Sequence, residues 1–356
     1  MLTAWLWILL GGVKMLDERK RRILQAVIDD YISSAEPVGS RAVARRHDLG
    51  VSPATIRNEM ADLEEMGYLE HLHTSSGRIP SSKGYRLYVD NLLSPAPIGE
   101  REKVLIDRWY KARVRRIESV FQETAKVISR VTRNLALVLA PQLAQVSFRT
   151  LQFLPLDAER VIAVLMTDAG FVENRVLKMP SGSDFHDFQR MAEIINRCLT
   201  GERLASIGSA VLKRIRAEVM DESLYQAALE LIHEALDEEK KEQRLYLGGT
   251  TEMLEQPEFH DVGRVRSLLS LLEEEELVKG ILQKQAREGL AVTIGRENEY
   301  SGIQDCSVIT ATYHLDGERL GTIAVLGPTR MEYGKAMALL EYLNCHIARV
   351  VEPFRW

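Results

Sequence analysis

The 356-residue chain has few cysteines and no excess of positive charge. Its three cysteines are far apart and odd in number, which is typical of a reducing cytoplasm and gives neither a disulfide framework nor a zinc-finger spacing. Lys and Arg number 46 against 51 Asp and Glu, a formal net charge of −5. This balance argues against a uniformly basic surface for nucleic acid, so any such binding must depend on a local patch.

The chain also lacks a long apolar run. Residues 2–10 are apolar but too short to span a bilayer as a helix. No positively charged segment precedes them, and no small-residue cleavage site follows, as a signal peptide would require. We therefore expect no association with a membrane.

Patterns of catalytic or ligand-binding residues are equally absent from the sequence. No Ser/His/Asp or Cys/His set is recognisable, and the glycines of residues 280–302 do not have the spacing of a phosphate-binding loop. His71 and His73 have no cysteine or carboxylate beside them, whereas a zinc site needs three or four ligands. We predict that the protein is not an enzyme and holds no cofactor or metal ion.

What the chain does contain is a winged helix-turn-helix pattern over residues 16–90. Ser52 is a good N-cap for the second short helix, and Pro53 suits its first helical position. Three apolar residues recur at helical spacing and should face inward: Ile56, Met60 and Leu63. The outer face is left with Thr55, Arg57 and Asn58, whose side chains can bond phosphates or base edges. The pattern predicts a recognition helix that enters the major groove.

The flanking segments complete the predicted module. A first helix should begin near Asp17, and Gly50 suits a turn that needs positive φ. Residues 68–72 alternate like a strand, residues 74–80 form a polar loop of wing type, and residues 82–93 predict a closing helix.

Basic residues of this module concentrate on the recognition and wing side. As phosphate contacts we predict Arg41, Arg45, Arg78, Lys83 and Arg86, with Ser52 and Ser76 as further donors to the DNA backbone. Without the helix-turn-helix pattern, such a cluster would be read as a solvated face with local ion pairs. Together with that pattern, it favours binding of double-stranded DNA.

Five ungapped motifs in this region resemble the HrcA family of bacterial heat-inducible transcription repressors. They cover residues 39–41, 51–64, 67–69, 73–80 and 83–86. The resemblance implies an α+β architecture with a winged helix, a GAF-like domain and an inserted dimerising domain. It also implies a cytoplasmic homodimer that represses chaperone operons through an inverted-repeat operator (CIRCE), with the GroEL chaperonin as modulating partner.

The family-like start of the chain is Met15, followed by Leu16, Asp17, Glu18 and Arg19. We expect Met15 to be the native initiator and residues 1–14 to be an extension from a misplaced start codon.

Domain organisation after the winged helix (residues 15–94) follows from strand-like patterns. Residues 148–156, 161–166 and 171–179 predict three strands, and residues 290–295, 306–314 and 319–326 predict three more before a final helix. This arrangement predicts one GAF-like α+β domain, at residues 100–182 and 262–356, that is split by an inserted dimerisation domain at residues 183–261.

Three alternatives remain open at this point. In a ligand-sensing regulator, the GAF-like domain would bind a small effector, and it should then have a solvent-open apolar pocket with convergent polar groups. An enzyme with a vestigial helix-turn-helix would need a catalytic constellation. A module that uses its winged helix for protein contacts would keep partner binding when DNA binding is lost.

Overall fold

The N-terminal module consists of helices and a two-stranded wing sheet. This computed structural model describes residues 16–71, 77–93, 97–113, 117–140, 147–168, 170, 172–180, 182, 184–207, 209–219, 222, 225–226, 243–286, 289–315 and 318–351. The elements of the module are α1 (Glu18–Ser34), α2 (Ser40–Arg46), α3 (Pro53–Glu65), β1 (Leu69–His71), β2 (Arg78–Pro80) and α4 (Ser82–Leu87), followed by a π-helical turn at Tyr88–Leu92. Residues 1–15, with the expected start at Met15, lie outside the described residues.

Local capping explains where the helices of the module begin. The Asp17 carboxylate accepts a hydrogen bond from the Lys20 backbone N–H at 2.8 Å, and the Ser52 hydroxyl accepts one from that of Thr55 at 3.1 Å. Gly50 has φ +67°, as the turn before α3 requires. The inward face of α3, with Ile56, Met60 and Leu63, is fully buried, so the predicted register of this helix is confirmed.

The wing is attached to the turn between α1 and α2. Val38 and Arg78 exchange backbone hydrogen bonds of 2.9 Å in both directions. A Cβ at residue 77 would lie 2.5 Å from the Val38 carbonyl carbon, so only glycine allows this approach. The predicted contact residue Ser76 lies outside the described residues.

An α+β domain follows, which we define as residues 117–140 and 243–351. Its five antiparallel strands lie in the order β7 (Leu245–Gly248), β3 (Leu135–Leu139), β10 (Glu318–Pro328), β9 (Cys306–Leu315) and β8 (Leu290–Ile294). Helices α6 (Ile117–Thr132) and α12 (Tyr333–Val351) cover one face, and α10 (Val262–Glu273) and α11 (Glu275–Gln285) the other. Helix α5 (Glu100–Arg113) connects the module to this domain, and α9 (Thr250–Leu254) follows β7.

A second, three-stranded sheet lies between β3 and β7 along the chain. Strands β4 (Phe148–Pro155), β5 (Arg160–Thr167) and β6 (Val172–Lys178) form an antiparallel meander. Helix α7 (Phe185–Leu199) packs on one of its faces, where the rings of Phe153 and Phe188 meet edge to face at 5.1 Å. Helix α8 (Ser209–Glu218) packs against α7.

The predicted membership of the sheets is wrong for these strands. Residues 148–156, 161–166 and 171–179 were expected in the GAF-like sheet, but they pair only with one another. The five-stranded sheet instead uses β3 and β7, so the chain leaves it after residue 140 and returns at residue 245, not at 183 and 261. Strand β3 escaped prediction because both its faces are buried, which removes the alternation that marks a half-exposed strand.

No helix in the described part of the chain is both long and apolar enough to cross a membrane.

We expect Gly84→Ala to destabilise the winged-helix module. A Cβ at residue 84 would lie 2.3 Å from the Tyr68 carbonyl oxygen, so α4 would have to shift away from the wing, at a cost of about 1–3 kcal/mol. Urea unfolding measures the change. Gly280→Ala is the control, since nothing lies within 4 Å of a Cβ there and alanine should stabilise α11 by about 0.5–1 kcal/mol. Equal stability of Gly84→Ala and wild type would contradict this close packing.

Candidate nucleic-acid interface

The exposed surface of α3 lies opposite its buried stripe. Arg57 and Asn58 are exposed, and Ala54 and Ala61 extend the same side of the helix. No other described residue bonds the side chains of Arg57 or Asn58. Small residues around an unpaired arginine leave room for a groove of DNA, so this face can place a guanidinium and an amide against base edges.

Ser52 and Thr55 form the N-terminal end of the same surface. Their hydroxyl oxygens lie 3.0 Å apart, and the Ser52 hydroxyl caps the helix. Ser52 is exposed and Thr55 half-buried. Both hydroxyls therefore lie at the end of α3 where free backbone N–H groups favour a phosphate.

Helix α2 adds two further cations. Arg41 and Arg45 are exposed, and the Arg45 Nε donates to the Arg41 carbonyl oxygen at 3.4 Å. Neither has a carboxylate partner in the described part of the chain. Their neighbour Arg46 differs, because its Nη1 lies 3.3 Å from the buried Asp30 carboxylate. The structure thus leaves Arg41 and Arg45 available and uses Arg46 internally.

The wing cations brace the C-terminal end of α3. The Glu64 carboxylate accepts from His71 Nδ1 at 2.6 Å and from Arg78 Nε at 2.9 Å. Lys83 Nζ donates to the Met66 carbonyl oxygen at 2.9 Å. Burial raises the pKa of Glu64, but the hydrogen bond from His71 and the attraction of Arg78 outweigh it, so this pKa is held below its ordinary value. Arg78 and Lys83 thus lie beside the recognition helix, but they are already engaged.

Arg86 is directed to the second domain instead. Its guanidinium bonds the Glu297 carboxylate, with Nε at 2.9 Å from Oε1, and its Nη2 donates to the Val292 carbonyl oxygen at 2.7 Å. The Asp90 carboxylate accepts a further hydrogen bond from Arg86 Nη1 at 3.2 Å. The sequence could not reveal this, because Glu297 is 211 residues away.

The sequence also missed the anchor of α3 on α1. Lys20 Nζ lies 2.6 Å from the Glu59 carboxylate and 3.0 Å from that of Asp62, and these hydrogen bonds raise the pKa of Lys20. These two acids lie on α3 itself, one turn apart. From the sequence alone, Glu59 and Asp62 would be interpreted as solvent-exposed charges. Only the packing of α1 against α3 reveals Lys20 as their partner.

A capped recognition helix whose Arg57 and Asn58 have no partner among the described residues, next to a braced wing, defines a winged-helix DNA-binding protein. Residues 15–91 match the family described as "Winged helix-turn-helix transcription repressor, HrcA DNA-binding", and residues 118–337 match "HrcA protein C terminal domain". The chain belongs to the HrcA family of heat-inducible transcription repressors. The predicted resemblance, the DNA-binding winged helix and the assignment as a repressor rather than an enzyme are confirmed.

Curated relatives resemble the chain over nearly its whole length. The heat-inducible transcription repressor HrcA of Desulfitobacterium hafniense is 44% identical over 92% of this chain and 96% of the relative. The repressor of the same name from Pelotomaculum thermopropionicum is 42% identical over 95% and 97%. A crystal structure of a hypothetical protein covers 96% of this chain and 100% of its own, with a TM-score of 0.65 and 21% identity, which shows a shared fold.

Stability of the module should fall in acid because of Glu64. Its folded pKa is lowered from the ordinary 4.5, so ionised Glu64 stabilises the fold above that value, and the stabilisation is lost as the pH falls through the folded pKa. We expect Glu64→Gln to flatten this acid limb in urea unfolding below about pH 5. The exposed neighbour Glu65 serves as control, since Glu65→Gln should keep the acid limb. A Glu64→Gln variant with the wild-type limb would contradict the assignment.

Proposed function

We propose that the chain represses chaperone operons in the cytoplasm by binding, as a homodimer, an inverted-repeat operator of the CIRCE type. The observation that carries this proposal is the exposed recognition helix, on which Arg57 and Asn58 bond no other residue in the described part of the chain. A two-fold dimer presents two such helices to symmetric half-sites. Occupancy of the promoter then blocks transcription, and the relatives' description as heat-inducible repressors supports release on heating.

The contacts with DNA divide into two kinds. Thr55, Arg57 and Asn58 contact base edges or lie next to them. The phosphate contacts come from Arg41 and Arg45, with Ser52 and Ser76 as further donors. Arg78 and Lys83 add contacts through N–H groups other than those bonded to Glu64 and Met66. Arg86 is removed from this second set, since its guanidinium is held by Glu297 and Val292 of the α+β domain.

The homodimer, in our proposal, forms through the outer face of the three-stranded sheet. Cross-strand register places six apolar side chains on the face turned away from α7: Leu154, Ile162, Val164, Met166, Val172 and Val176. Leu154, Val172 and Val176 are 49%, 43% and 57% exposed. A sheet with two apolar faces, of which one helix covers only one, favours a second copy as the cover.

Heat and the chaperonin act on this assembly. A loss of 1–2 kcal/mol shifts a marginally stable folded fraction several-fold, so moderate heating is enough to deplete the DNA-competent dimer. The GroEL chaperonin would bind the unassembled subunit, whose apolar sheet face is the kind of surface that chaperones protect. When unfolded clients occupy GroEL, less repressor is maintained in its active form, and the operon is expressed.

The alternative of a small-ligand sensor has weaker support. A cleft of about 640 Å³ lies between the winged-helix module and the α+β domain. Its charged lining consists mainly of two ion pairs, Arg86 with Glu297 and Lys284 with Glu299. These groups satisfy one another and do not converge on the cleft, as they would for a charged effector.

The first test is direct binding. Fluorescence anisotropy would compare an inverted-repeat chaperone-promoter fragment with a scrambled fragment over several salt concentrations and temperatures, with and without GroEL. We expect a preference for the repeat that persists in salt, is lost on heating and is recovered with GroEL. Equal, salt-sensitive binding of both fragments by a folded dimer would contradict a sequence-specific repressor.

Arg57→Ala should reduce the preference for operator over scrambled DNA by about 1–3 kcal/mol, because it removes a base-edge contact. Arg41→Ala should weaken both fragments equally and reduce the salt slope by about one unit. Arg266→Ala, an exposed arginine on α10, is the control without effect. Equal weakening of both fragments by Arg57→Ala would show that the recognition face is assigned wrongly.

Val176→Glu should convert the dimer to monomers, because it places a charge within the proposed contact, beside Ile162 of the central strand. Sedimentation velocity measures the assembly, and operator binding should weaken with it. Val262→Glu is the matched control, since Val262 is 81% exposed on α10 and should leave the dimer intact. A dimeric Val176→Glu protein would place the interface elsewhere.

A further inference from the structure

The winged-helix module docks against the open edge of the five-stranded sheet. Strand β8 is the last strand of that sheet, and on its free side it meets α4. The Val292 carbonyl oxygen points out of this edge and accepts from Arg86 Nη2 at 2.7 Å. The guanidinium therefore donates to β8 the hydrogen bond that a backbone N–H of a neighbouring strand would otherwise donate. Helix α4 thus covers the edge of the sheet at this strand.

Glu297 fixes this guanidinium from the side of the α+β domain. Its Oε1 accepts from Arg86 Nε at 2.9 Å, and its Oε2 accepts from the Ile294 backbone N–H at 2.8 Å as well as from Arg86 Nη2. Next to it, Gly295 has φ +55°, and a Cβ there would lie 2.6 Å from the Ser82 hydroxyl at the start of α4. The turn after β8 is thus shaped to receive the module closely.

A second arginine makes the reciprocal contact. Arg330 belongs to the α+β domain, and its Nη1 donates to the Ile32 carbonyl oxygen in the last turn of α1 at 3.2 Å. Glu258 and Gln256 hold this guanidinium, with Nη2 at 3.1 Å from Glu258 Oε2 and 2.9 Å from Gln256 Oε1. Each domain therefore contributes one arginine to the contact, and each arginine donates a hydrogen bond to a backbone carbonyl group of the other domain.

The interface between the two domains, which lies between these two arginines, leaves one buried polar group without a partner among the described residues. The rings of Tyr85 and Tyr333 meet there at 5.8 Å, but the buried Tyr85 hydroxyl has no hydrogen-bond partner among the described residues. An unsatisfied buried hydroxyl reduces the stability of the docked state. The side chains of Arg86 and Glu297 are 32% and 38% exposed, so solvent also weakens their attraction. Both features weaken docking, and contacts of low stability open locally before a domain unfolds as a whole.

We propose that Arg86 with Glu297 and Arg330 with Ile32 form a latch, which fixes the orientation of the recognition helix and opens on heating to release the operator. This inference rests on the proposed function. The docked state leaves Arg57 and Asn58 exposed, so DNA can reach the recognition helix while the module is docked. A fixed orientation prearranges the two recognition helices of a dimer, whereas an undocked module must be ordered at each binding event.

The test uses the full-length dimer and Glu297→Gln. Glutamine keeps the size of the side chain and an acceptor for the Ile294 N–H, and it removes the charge that holds Arg86. Glu299→Gln is the matched control, because Glu299 pairs with Lys284 within the α+β domain. At the temperature where half of the wild-type repressor is released, Glu297→Gln should bind the operator about two- to fivefold more weakly, and Glu299→Gln should match wild type.

Hydrogen exchange without DNA provides an independent measurement. The amides of residues 290–294 and of α4 should exchange two- to fivefold faster in Glu297→Gln than in Glu299→Gln, while those of β3 stay equally protected. Arg330→Gln should change both measurements in the same direction.

Two results would overturn the latch. One is that the amides of residues 290–294 and of α4 exchange at the same rate in Glu297→Gln and in Glu299→Gln. The other is tighter DNA binding by Glu297→Gln, which would mean that a freed Arg86 contacts phosphate. If the wild type shows no preference for the inverted repeat, the proposed function fails, and exchange at residues 290–294 still decides whether the latch exists.

Discussion

Ion pairs on both flanks of α3 fix the recognition helix within the winged-helix module. Lys20 holds Glu59 and Asp62 at one side of the helix, and Glu64 holds His71 and Arg78 of the wing at the other. Three carboxylates of α3 thereby have basic partners on α1 and the wing, whereas no other described residue bonds the side chains of Arg57 and Asn58 on its outer face. Because the helix is fixed by its flanks, its Arg57 and Asn58 can face a ligand without being needed for the fold.

The same principle explains how a chain of net charge −5 binds DNA. Arg46, Arg78, Lys83 and Arg86 all have partners inside the protein, whereas Arg41, Arg45 and Arg57 have no carboxylate partner in the described part of the chain. Asp30 and Glu64 are thereby paired internally with Arg46 and Arg78, so these two acids do not offset the charge of Arg41, Arg45 and Arg57. Phosphate attraction then depends on position rather than on total charge.

Much of the winged helix could be predicted because its signals are local. The Ser52 cap, Pro53, the positive φ of Gly50 and the inward stripe of α3 all occur within a few residues of one another. The sheets were less accessible. Strands β4 to β6 alternate and were found, but their pairing was assigned to the wrong sheet, and β3, buried on both faces, gave no alternation at all.

Periodicity and capping were enough to predict the helix-turn-helix and the outer residues of its recognition helix, and the five motifs were enough to predict the family. Tertiary structure decided which strands share a sheet and which arginines remain free. Arg57 and Arg86 are chemically alike in the sequence, yet Arg57 has no partner among the residues that the structure describes, whereas Arg86 bonds Glu297 and Val292. Their difference depends on residues more than 200 positions away, which only the folded chain brings within hydrogen-bonding distance.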